Sequence, residues 1–400
     1  MILKNLLFVT WDSDKTNYLE SLFFPILDGL QNTGEFRCFI LQFSWASKGE
    51  VNRIAALADN KSLNYSHFLI SRSPSPSLGV LVTLIRGASV IKDFVLNNQI
   101  DIVMPRSTMP ALMVNQIWSF LKKNNLKLVF DADGLPIEER VDFAGMKKGG
   151  LPFRFLKWIE KKIMQNADRI LTRSKKAITF HLQYNPKLVI SKFFVVGNGR
   201  DSQVFNFQKE SRAIIRAKLG VAQDEWLWVY TGSLGPAYAW EELCGLLSQI
   251  RLKFQKGKLL VLCRDDTFAK DRTPKELIPF IQFLNIPFSA IPSHLSAGDL
   301  GISLRRPAPS LIGLSPIKLG EYFLCGLPVL ASTQPGDSEE LLESCEFVFP
   351  TVDPQNIDDS VLMNWWDSKR PFDREEIRAF GLNHFSLEKS IESYRLALKF

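Results

Sequence analysis

The sequence has 400 residues, of which 46% are hydrophobic and 23% are charged. This length favours two domains of roughly 150–200 residues each, and the composition excludes a disordered chain, a collagen-like chain and a small disulfide-stabilised scaffold. The chain has 49 lysines and arginines against 42 aspartates and glutamates, a net charge of +7. An evenly basic protein of this kind would be a candidate for binding nucleic acid.

The positive charge is confined to one segment. Residues 146–176 contain ten lysines or arginines and two acidic residues, a local charge of +8, which leaves the rest of the chain nearly neutral. A nucleic-acid-binding protein is expected to be basic over a wider surface. The charge pattern therefore predicts no nucleic-acid partner.

The cysteines and the N-terminal segment predict a cytoplasmic protein. The five cysteines are scattered and form no CxxC pair, which indicates free thiols in a reducing compartment. The apolar run at 6–11 is too short for a signal peptide. No window approaches the roughly 20 apolar residues that cross a bilayer.

Short β-rich runs alternate with helical stretches along the whole chain, which predicts parallel α/β sheets. A first series of strands is followed by a polar connection at 205–216 and then by a second series. The predicted strands are 6–11, 36–43, 68–71, 101–104, 128–131, 169–172 and 193–196, and then 226–231, 258–263, 287–291, 299–304, 328–332 and 346–349.

These two series predict two tandem Rossmann-like, doubly wound domains. We place the N-terminal domain at 1–205, the second domain at 206–380 and a C-terminal helix, 381–400, that returns toward the first domain. Ligands of such sheets bind beyond the carboxyl ends of the strands. We therefore expect an interdomain cleft, lined in part by the loop 10–17.

The segment 130–142 follows a buried strand and carries two aspartates and then a Glu-Glu-Arg turn. Asp133 is a candidate catalytic residue, because a carboxylate can accept a proton from a hydroxyl group or orient one. The alternative is that Asp131 or Asp133 caps the following turn.

The basic segment contains an amphipathic helix at 151–165, with a tryptophan on its basic side. Tryptophan and lysine together are typical of helices that lie on a membrane surface. We predict contact with an anionic membrane through the following residues: Lys147, Lys148, Phe153, Lys157 and Trp158. The alternative is a helix that packs on the sheet and leaves its charges in solvent.

The second half carries features of a phosphate site. Gly232 and Ser233 lie at a strand-to-helix junction, where a glycine lets the backbone approach a phosphate. The segment Ser-Pro-Ile-Lys-Leu-Gly-Glu-Tyr at 315–322 predicts a helix with Ser315 as N-cap, and it places Lys318 and Glu321 on one face. A helix N-terminus beside a lysine favours a phosphate, and Glu321 can accept ribose hydroxyls.

This segment, with the Cys-Gly-Leu-Pro-Val that follows it, resembles the signature of the retaining glycosyltransferases of family 4, which have the GT-B fold. The resemblance implies that Glu321 holds the ribose of a nucleotide sugar. It also implies that Lys318 and the backbone around Ser315 and Ile317 face the diphosphate. The family often has a second carboxylate eight positions earlier, and this chain has Gly313 there.

Other segments resemble the same family, with two departures. The Asn-Gly-Arg-Asp turn at 198–201 and the Asp-x-x-Gly at 131–134 match, but Asp133 stands where the family usually has His or Arg. The family's basic residue after Gly232 is replaced by Pro236 and Ala237. Charge compensation for the diphosphate is therefore expected from Lys318, from Arg264 or from the pair Arg305–Arg306.

The sequence predicts neither a metal nor a cofactor. Its four histidines are isolated, and it contains no Walker A sequence, no Gly-x-Gly-x-x-Gly after the first strand, no Gly-x-Ser-x-Gly and no flanked Asp-x-Asp. Helix dipole and basic side chains are expected to stabilise the leaving group.

The resemblance, together with the absence of a metal-binding pattern, implies a metal-independent, retaining glycosyltransferase. It would move a sugar from a nucleotide-diphosphate donor to a saccharide acceptor, lipid-linked, in surface polysaccharide biosynthesis at the inner face of the plasma membrane. Two alternatives remain open, a nucleotide-sugar epimerase of the same fold and a non-catalytic binding subunit.

Overall fold

The computed structural model describes residues 3–13, 17–73, 75–222 and 224–400, so the loop 10–17 lies partly outside the described residues. The chain divides into two compact units: residues 1–197 with 390–400, and residues 198–389. The predicted boundaries at 205 and 381 were wrong. Residues 198–205 belong to the second unit because Phe205 lies in its core, and Gly381 belongs there because it packs on Phe323.

The first unit contains a parallel seven-stranded sheet of order β3-β2-β1-β4-β5-β6-β7. The central strands are apolar on both faces, as expected for strands covered by helices on both sides. The strands are β1 Lys4–Asp12, β2 Phe36–Ser44, β3 Asn64–Leu69, β4 Ile102–Pro105, β5 Lys127–Asp131, β6 Arg169–Thr172 and β7 Phe193–Val195.

The helices between these strands cover the sheet, and neighbouring helices pack on each other. Helix α3 contacts α4, and α4 contacts α7. Serine side chains at 47, 75 and 174 accept backbone N–H groups and so define where three of the helices begin. A π-helical turn, Leu19–Phe23, precedes α1, and a 3-10 turn, Ile190–Lys192, precedes β7. The helices are α1 Phe24–Asn32, α2 Lys48–Asp59, α3 Pro76–Asn97, α4 Thr108–Gln116, α5 Trp118–Lys123, α6 Pro136–Phe143, α7 Leu151–Asn166 and α8 Lys175–Tyr184.

The second unit contains a parallel six-stranded sheet of order β10-β9-β8-β11-β12-β13. The strand predicted at 287–291 was wrong. Two prolines, Pro287 and Pro292, remove backbone donors there, so that 288–290 forms a 3-10 turn and the edge strand lies earlier in the chain. The strands are β8 Leu227–Thr231, β9 Lys258–Leu262, β10 Ile281–Leu284, β11 Leu300–Ser303, β12 Val329–Ser332 and β13 Val348–Thr351.

Helices cover both faces of this sheet. The polar stretch predicted as a connection at 205–216 contains the first of them, α9, whose Arg216 binds Asp299 at 2.9 Å. The helices are α9 Lys209–Lys218, α10 Trp240–Phe254, α11 Thr267–Lys270, α12 Ile291–Ala297, α13 Ile317–Leu324, α14 Ser338–Glu343, α15 Asp359–Lys369 and α16 Arg374–Phe385. The last helix, α17 Leu387–Leu398, belongs to the first unit from Ser390 onward. Further 3-10 turns are Lys275–Phe280, Phe288–Ala290, Pro309–Gly313 and Pro354–Asn356.

Candidate functional site

In the second unit, the signature segment folds into α13, which begins at Ile317 after an extended Pro316. Ser315 was wrongly predicted as the N-cap, because Pro316 occupies that position and no side chain caps the helix. The Ser315 carbonyl instead accepts a hydrogen bond from Asn198 Nδ2 at 3.5 Å. The first backbone N–H groups of α13 are therefore not satisfied by a capping side chain.

The Lys318 ammonium lies against two aromatic rings at the carboxyl end of β8. Its Nζ is 3.7 Å from the ring centroid of Tyr230 and 4.6 Å from that of Tyr238. The Nζ is buried and has no hydrogen-bond partner among the residues that the structure describes. Burial, and then the charge of Arg305, hold the pKa of Lys318 well below its usual value.

Gly232 lies directly beside this lysine. Its φ of +100° is in a region that other residues rarely adopt, and a Cβ there would lie 3.6 Å from Lys318 Cε. Ser233 is exposed and its carbonyl accepts from the Tyr230 hydroxyl. The structure thus brings the predicted residues Gly232 and Lys318 together.

The three candidate arginines have different surroundings. Arg305 Nη2 lies 3.3 Å from the Tyr238 hydroxyl, and its guanidinium carbon is 4.1 Å from the Tyr238 ring centroid. Arg306 binds Glu242 at 2.8 Å and Glu241 at 2.6 Å. Arg264 is exposed after β9. Arg305 is therefore the arginine that stacks on the same ring as Lys318.

Substituting Arg305 with glutamine should weaken the binding of the nucleotide sugar that the sequence resemblance implies, since one of two neighbouring basic side chains is lost. We expect affinity to fall about tenfold or more, in line with the ~1.5–3 kcal/mol of a hydrogen bond to a charged group. Arg306→Gln is the matched control, because its charge is already neutralised by Glu241 and Glu242. Titration calorimetry with a UDP-sugar would measure both, and equal losses in the two variants would contradict the assignment.

Glu321 is held by a buried ion pair that the sequence did not predict. Its Oε1 accepts from Arg200 Nε at 3.0 Å and Nη2 at 2.8 Å, and its Oε2 accepts from the Thr231 hydroxyl at 3.2 Å. Glu321 and Arg200 are both more than nine-tenths buried. Arg200 of the Asn-Gly-Arg-Asp turn, for which the sequence predicted no contact, thus supplies the ion-pair partner of Glu321.

In the first unit, Asp131 and Asp133 occupy the carboxyl end of β5. Asp131 is fully buried and binds Arg173 Nη2 at 2.9 Å, while its other oxygen accepts the Asp133 N–H at 3.0 Å. Asp133 binds Arg106 Nη2 at 2.5 Å and has a φ of +65°. Asp131 therefore fixes the turn, and Asp133 presents its partly exposed carboxylate at this edge of the sheet.

The sequence analysis missed the basic residues around these aspartates. Arg106 follows β4 and Arg173 follows β6, so both stand where ligands of parallel sheets are bound. Arg106 Nε and Arg173 Nη1 are buried and have no partner among the described residues. The rule that predicted the Asp133 loop would have found both arginines. The hydroxyl of Tyr394, 3.5 Å from Asp131, comes from distant sequence and carried no such signal.

Two of the predicted membrane residues are not on the surface. Phe153 is 6% exposed and packs in the core, because it lies on the apolar side of α7. Lys157 is 3% exposed and binds Glu138 at 3.0 Å and also Glu160. The prediction of membrane contact was therefore wrong for Phe153 and Lys157.

The other three predicted residues are exposed. Lys147 and Lys148 lie in the loop before α7, and Trp158 is 53% exposed and stacks on Phe155. Leu151 at the start of α7 is also exposed. Over the ranges that the structure describes, no helix combines the length and apolar character of a membrane span. The same ranges contain no group of histidine, cysteine and acidic side chains arranged for a metal ion.

Comparison with known proteins gives the fold. No protein-family model and no curated protein matches the sequence. Among solved structures, the Anabaena protein HepE in complex with UDP and glucose has a TM-score of 0.71 at 16% identity, over 99% of both chains. A glycosyltransferase from Rickettsia africae has a TM-score of 0.69 at 17% identity, over 99% of both chains.

A UDP-GlcNAc 2-epimerase from Neisseria meningitidis bound to UDP-GlcNAc is also similar, with a TM-score of 0.61 at 11% identity over 98% of this chain and 99% of that one. The two parallel-sheet, Rossmann-like units match the glycosyltransferase structures more closely. The GT-B fold predicted from the sequence is confirmed.

Proposed function

We propose that this protein is a retaining, metal-independent glycosyltransferase that transfers a sugar from a nucleotide-diphosphate donor to a saccharide acceptor. The observation that carries the proposal is the pair of cations Lys318 and Arg305, which stack on Tyr238 beside Gly232 at the carboxyl end of β8. The neighbouring carboxylate, Glu321, is already neutralised by Arg200. Two neighbouring basic side chains beside an exposed glycine suit a diphosphate.

The donor-binding residues follow from this position. Lys318 and Arg305 meet the charge that develops on the leaving diphosphate, and the N–H groups of Ile317 and Lys318 at the start of α13, which no side chain caps, add to it. Glu321 Oε2 holds the ribose. Complexes of the similarly folded HepE with UDP and with UDP-glucose support a nucleotide sugar as the ligand.

Asp133 acts on the acceptor in this proposal, with Arg106 orienting its carboxylate. We expect Asp133→Asn to lower the transfer rate on the order of 10²-fold, because an amide cannot accept a proton, and to leave donor affinity unchanged. Asp131→Asn is the contrasting variant. It leaves Arg173 buried without its carboxylate and should lower the melting temperature. Transfer rate and melting temperature distinguish the two, and full activity of Asp133→Asn would refute the role.

The acceptor is proposed to be lipid-linked and to belong to surface polysaccharide biosynthesis, with the enzyme peripheral on the inner face of the plasma membrane. Support comes from the exposed lysines before α7 and from Trp158, whose ring suits the headgroup region.

Membrane association of this kind predicts binding to anionic vesicles. Lys147→Gln/Lys148→Gln/Trp158→Ser should bind vesicles of phosphatidylglycerol at least about tenfold more weakly than the wild type, since each lysine contributes ~1 kcal/mol near an anionic surface. Lys161→Gln/Lys162→Gln on α7 also removes two exposed lysines and tests for specificity. Co-sedimentation measures the bound fraction, and undiminished binding by the triple variant would argue against the surface.

The function is tested by incubating the purified protein with a panel of nucleotide sugars, with and without a chelator. Transfer or slow hydrolysis of one donor, undiminished by the chelator, is the expected result. Recovery of an epimerised donor would replace the proposal with an epimerase, for which the three carboxylates Asp12, Asp131 and Asp133 in the first unit are the favouring feature. Tight binding without turnover would indicate a binding subunit.

A further inference from the structure

Helix α3 carries an apolar stripe that no described residue covers. Leu78, Leu81 and Ile85 are each more than half exposed and recur at helical spacing on one side of the helix. Single exposed leucines are ordinary on protein surfaces, but a contiguous apolar stripe indicates a contact surface.

The stripe borders the helices that lead to α7. Lys92 is seven residues after Ile85 and therefore on the same side of α3, and its Nζ lies 5.2 Å from the ring centroid of Phe120 in α5. Met113 of α4 packs on Gly87, and α4 in turn packs on α7. The stripe, the half-buried Leu112 of α4 and the exposed residues of α7 thus belong to one helical layer of the first unit.

Charge identifies the partner of this layer. The charged residues between Leu69 and Lys92 are Arg72 and Arg86, and the exposed charged residues between Phe143 and Ile159 are Lys147, Lys148 and Arg154. Asp93 and Asp142 lie just outside these two segments. Apolar side chains whose charged neighbours in the same segment are basic match an anionic lipid surface, where the acyl region takes the former and the headgroups the latter.

We propose that α3 is a second membrane-contacting helix, whose Leu78, Leu81 and Ile85 enter the acyl region while Lys147 and Lys148, in the loop before α7, bind the headgroups. This inference rests on the membrane association proposed above. It adds a second helix to a surface that the sequence predicted only at α7 and the loop before it. Binding should therefore persist in part when salt screens the lysines.

Vesicle binding by matched variants tests the role of α3. Leu81→Ser/Ile85→Ser should bind vesicles of equal parts phosphatidylcholine and phosphatidylglycerol about tenfold or more weakly, because two apolar side chains no longer leave water. Leu252→Ser replaces a leucine of the second unit that is more exposed, at 81% against 53% for Leu81, and should bind like the wild type. Binding of the α3 variant equal to that of the wild type overturns the proposal.

A single labelled cysteine tests the proposal in case the double variant does not fold. Ile85→Cys, in a Cys345→Ser background and labelled with an environment-sensitive dye, should show a blue shift of emission with these vesicles. An unchanged spectrum overturns the proposal. So does a dimer in solution that Leu81→Ser/Ile85→Ser dissociates without loss of vesicle binding, since the stripe would then contact a second copy.

The two proposals fail in different ways. If the α3 variants bind normally while Lys147→Gln/Lys148→Gln/Trp158→Ser does not bind, α3 is excluded and the membrane association stands. If both sets bind normally, the membrane association itself is wrong. Donor binding, measured by calorimetry, should be unchanged in every one of these variants and reports separately on the nucleotide-sugar site.

Discussion

Replacing Lys318 with methionine is expected to lower the rate of sugar transfer on the order of 10²–10³-fold. The reason is the loss of a buried positive charge at the leaving diphosphate, where water cannot substitute for it. The fold should not suffer, because the ammonium has no ion pair to lose and methionine fills a similar volume against Tyr230 and Tyr238. Steady-state kinetics and a thermal melt measure the two effects.

Lys318→Met should also change the pH dependence of donor binding. Because burial and Arg305 lower the pKa of Lys318, the free protein holds this proton weakly, and an arriving diphosphate raises the pKa again. Donor binding therefore takes up a proton, and donor affinity should fall as pH rises. Lys318→Met should bind weakly with a flatter pH dependence. Lys209→Met, at an exposed lysine, is the control, and an equal rate loss there would disprove a specific role.

Replacing Glu321 with alanine is expected to lower the free energy of unfolding by about 3–5 kcal/mol in addition to weakening donor binding. The substitution removes the carboxylate that the Arg200 guanidinium binds in the interior, and breaking a buried ion pair in this way has a cost of that size. The exposed Glu343→Ala should change stability by less than about 0.5 kcal/mol.

A double-mutant cycle separates the two roles of Glu321, the ion pair with Arg200 and the proposed contact with the ribose. Arg200→Ala/Glu321→Ala should be more stable than the sum of the single losses predicts, because neither charge is then left alone. Donor affinity should stay low in the double variant, since the ribose contact is not restored. Additive stability losses, or donor binding rescued in the double variant, would show that Glu321 acts only in the ion pair.

The sequence predicted the strands well because parallel strands covered on both faces are continuously apolar, and such runs stand out. It failed at β10, an edge strand that pairs only with β9 and is only partly buried. Pro287 and Pro292 frame a run that is apolar enough to suggest a strand but lacks the backbone donors for one.

Part of the proposed donor site could be predicted because two of its residues lie within one short segment, α13. Lys318 and Glu321 are three residues apart on one helix, so that spacing alone places them together. Arg200 and Tyr238 reach the same site from other elements, and no local pattern ties them to it.

Lys157 was predicted to be on the surface but is buried. A helical projection placed it with the solvated charges, but Glu138 of α6 and Glu160 draw it into the interior. A charged residue can be buried when its partner comes from another helix, which a projection of one helix does not reveal.

The chain leaves the first unit after Gly197 and returns to it at Ser390, and this has a consequence for the order in which the two units fold. The second unit is an insertion between two segments of the first, and a Cβ at Gly197 would lie only 2.7 Å from Ser390 Oγ, where the segments meet. Tyr394 and its neighbours cannot seal the core of the first unit until residues 390–400 have left the ribosome. The second unit, though later in the sequence, has all its residues sooner and can fold first, so that the earlier unit is completed last.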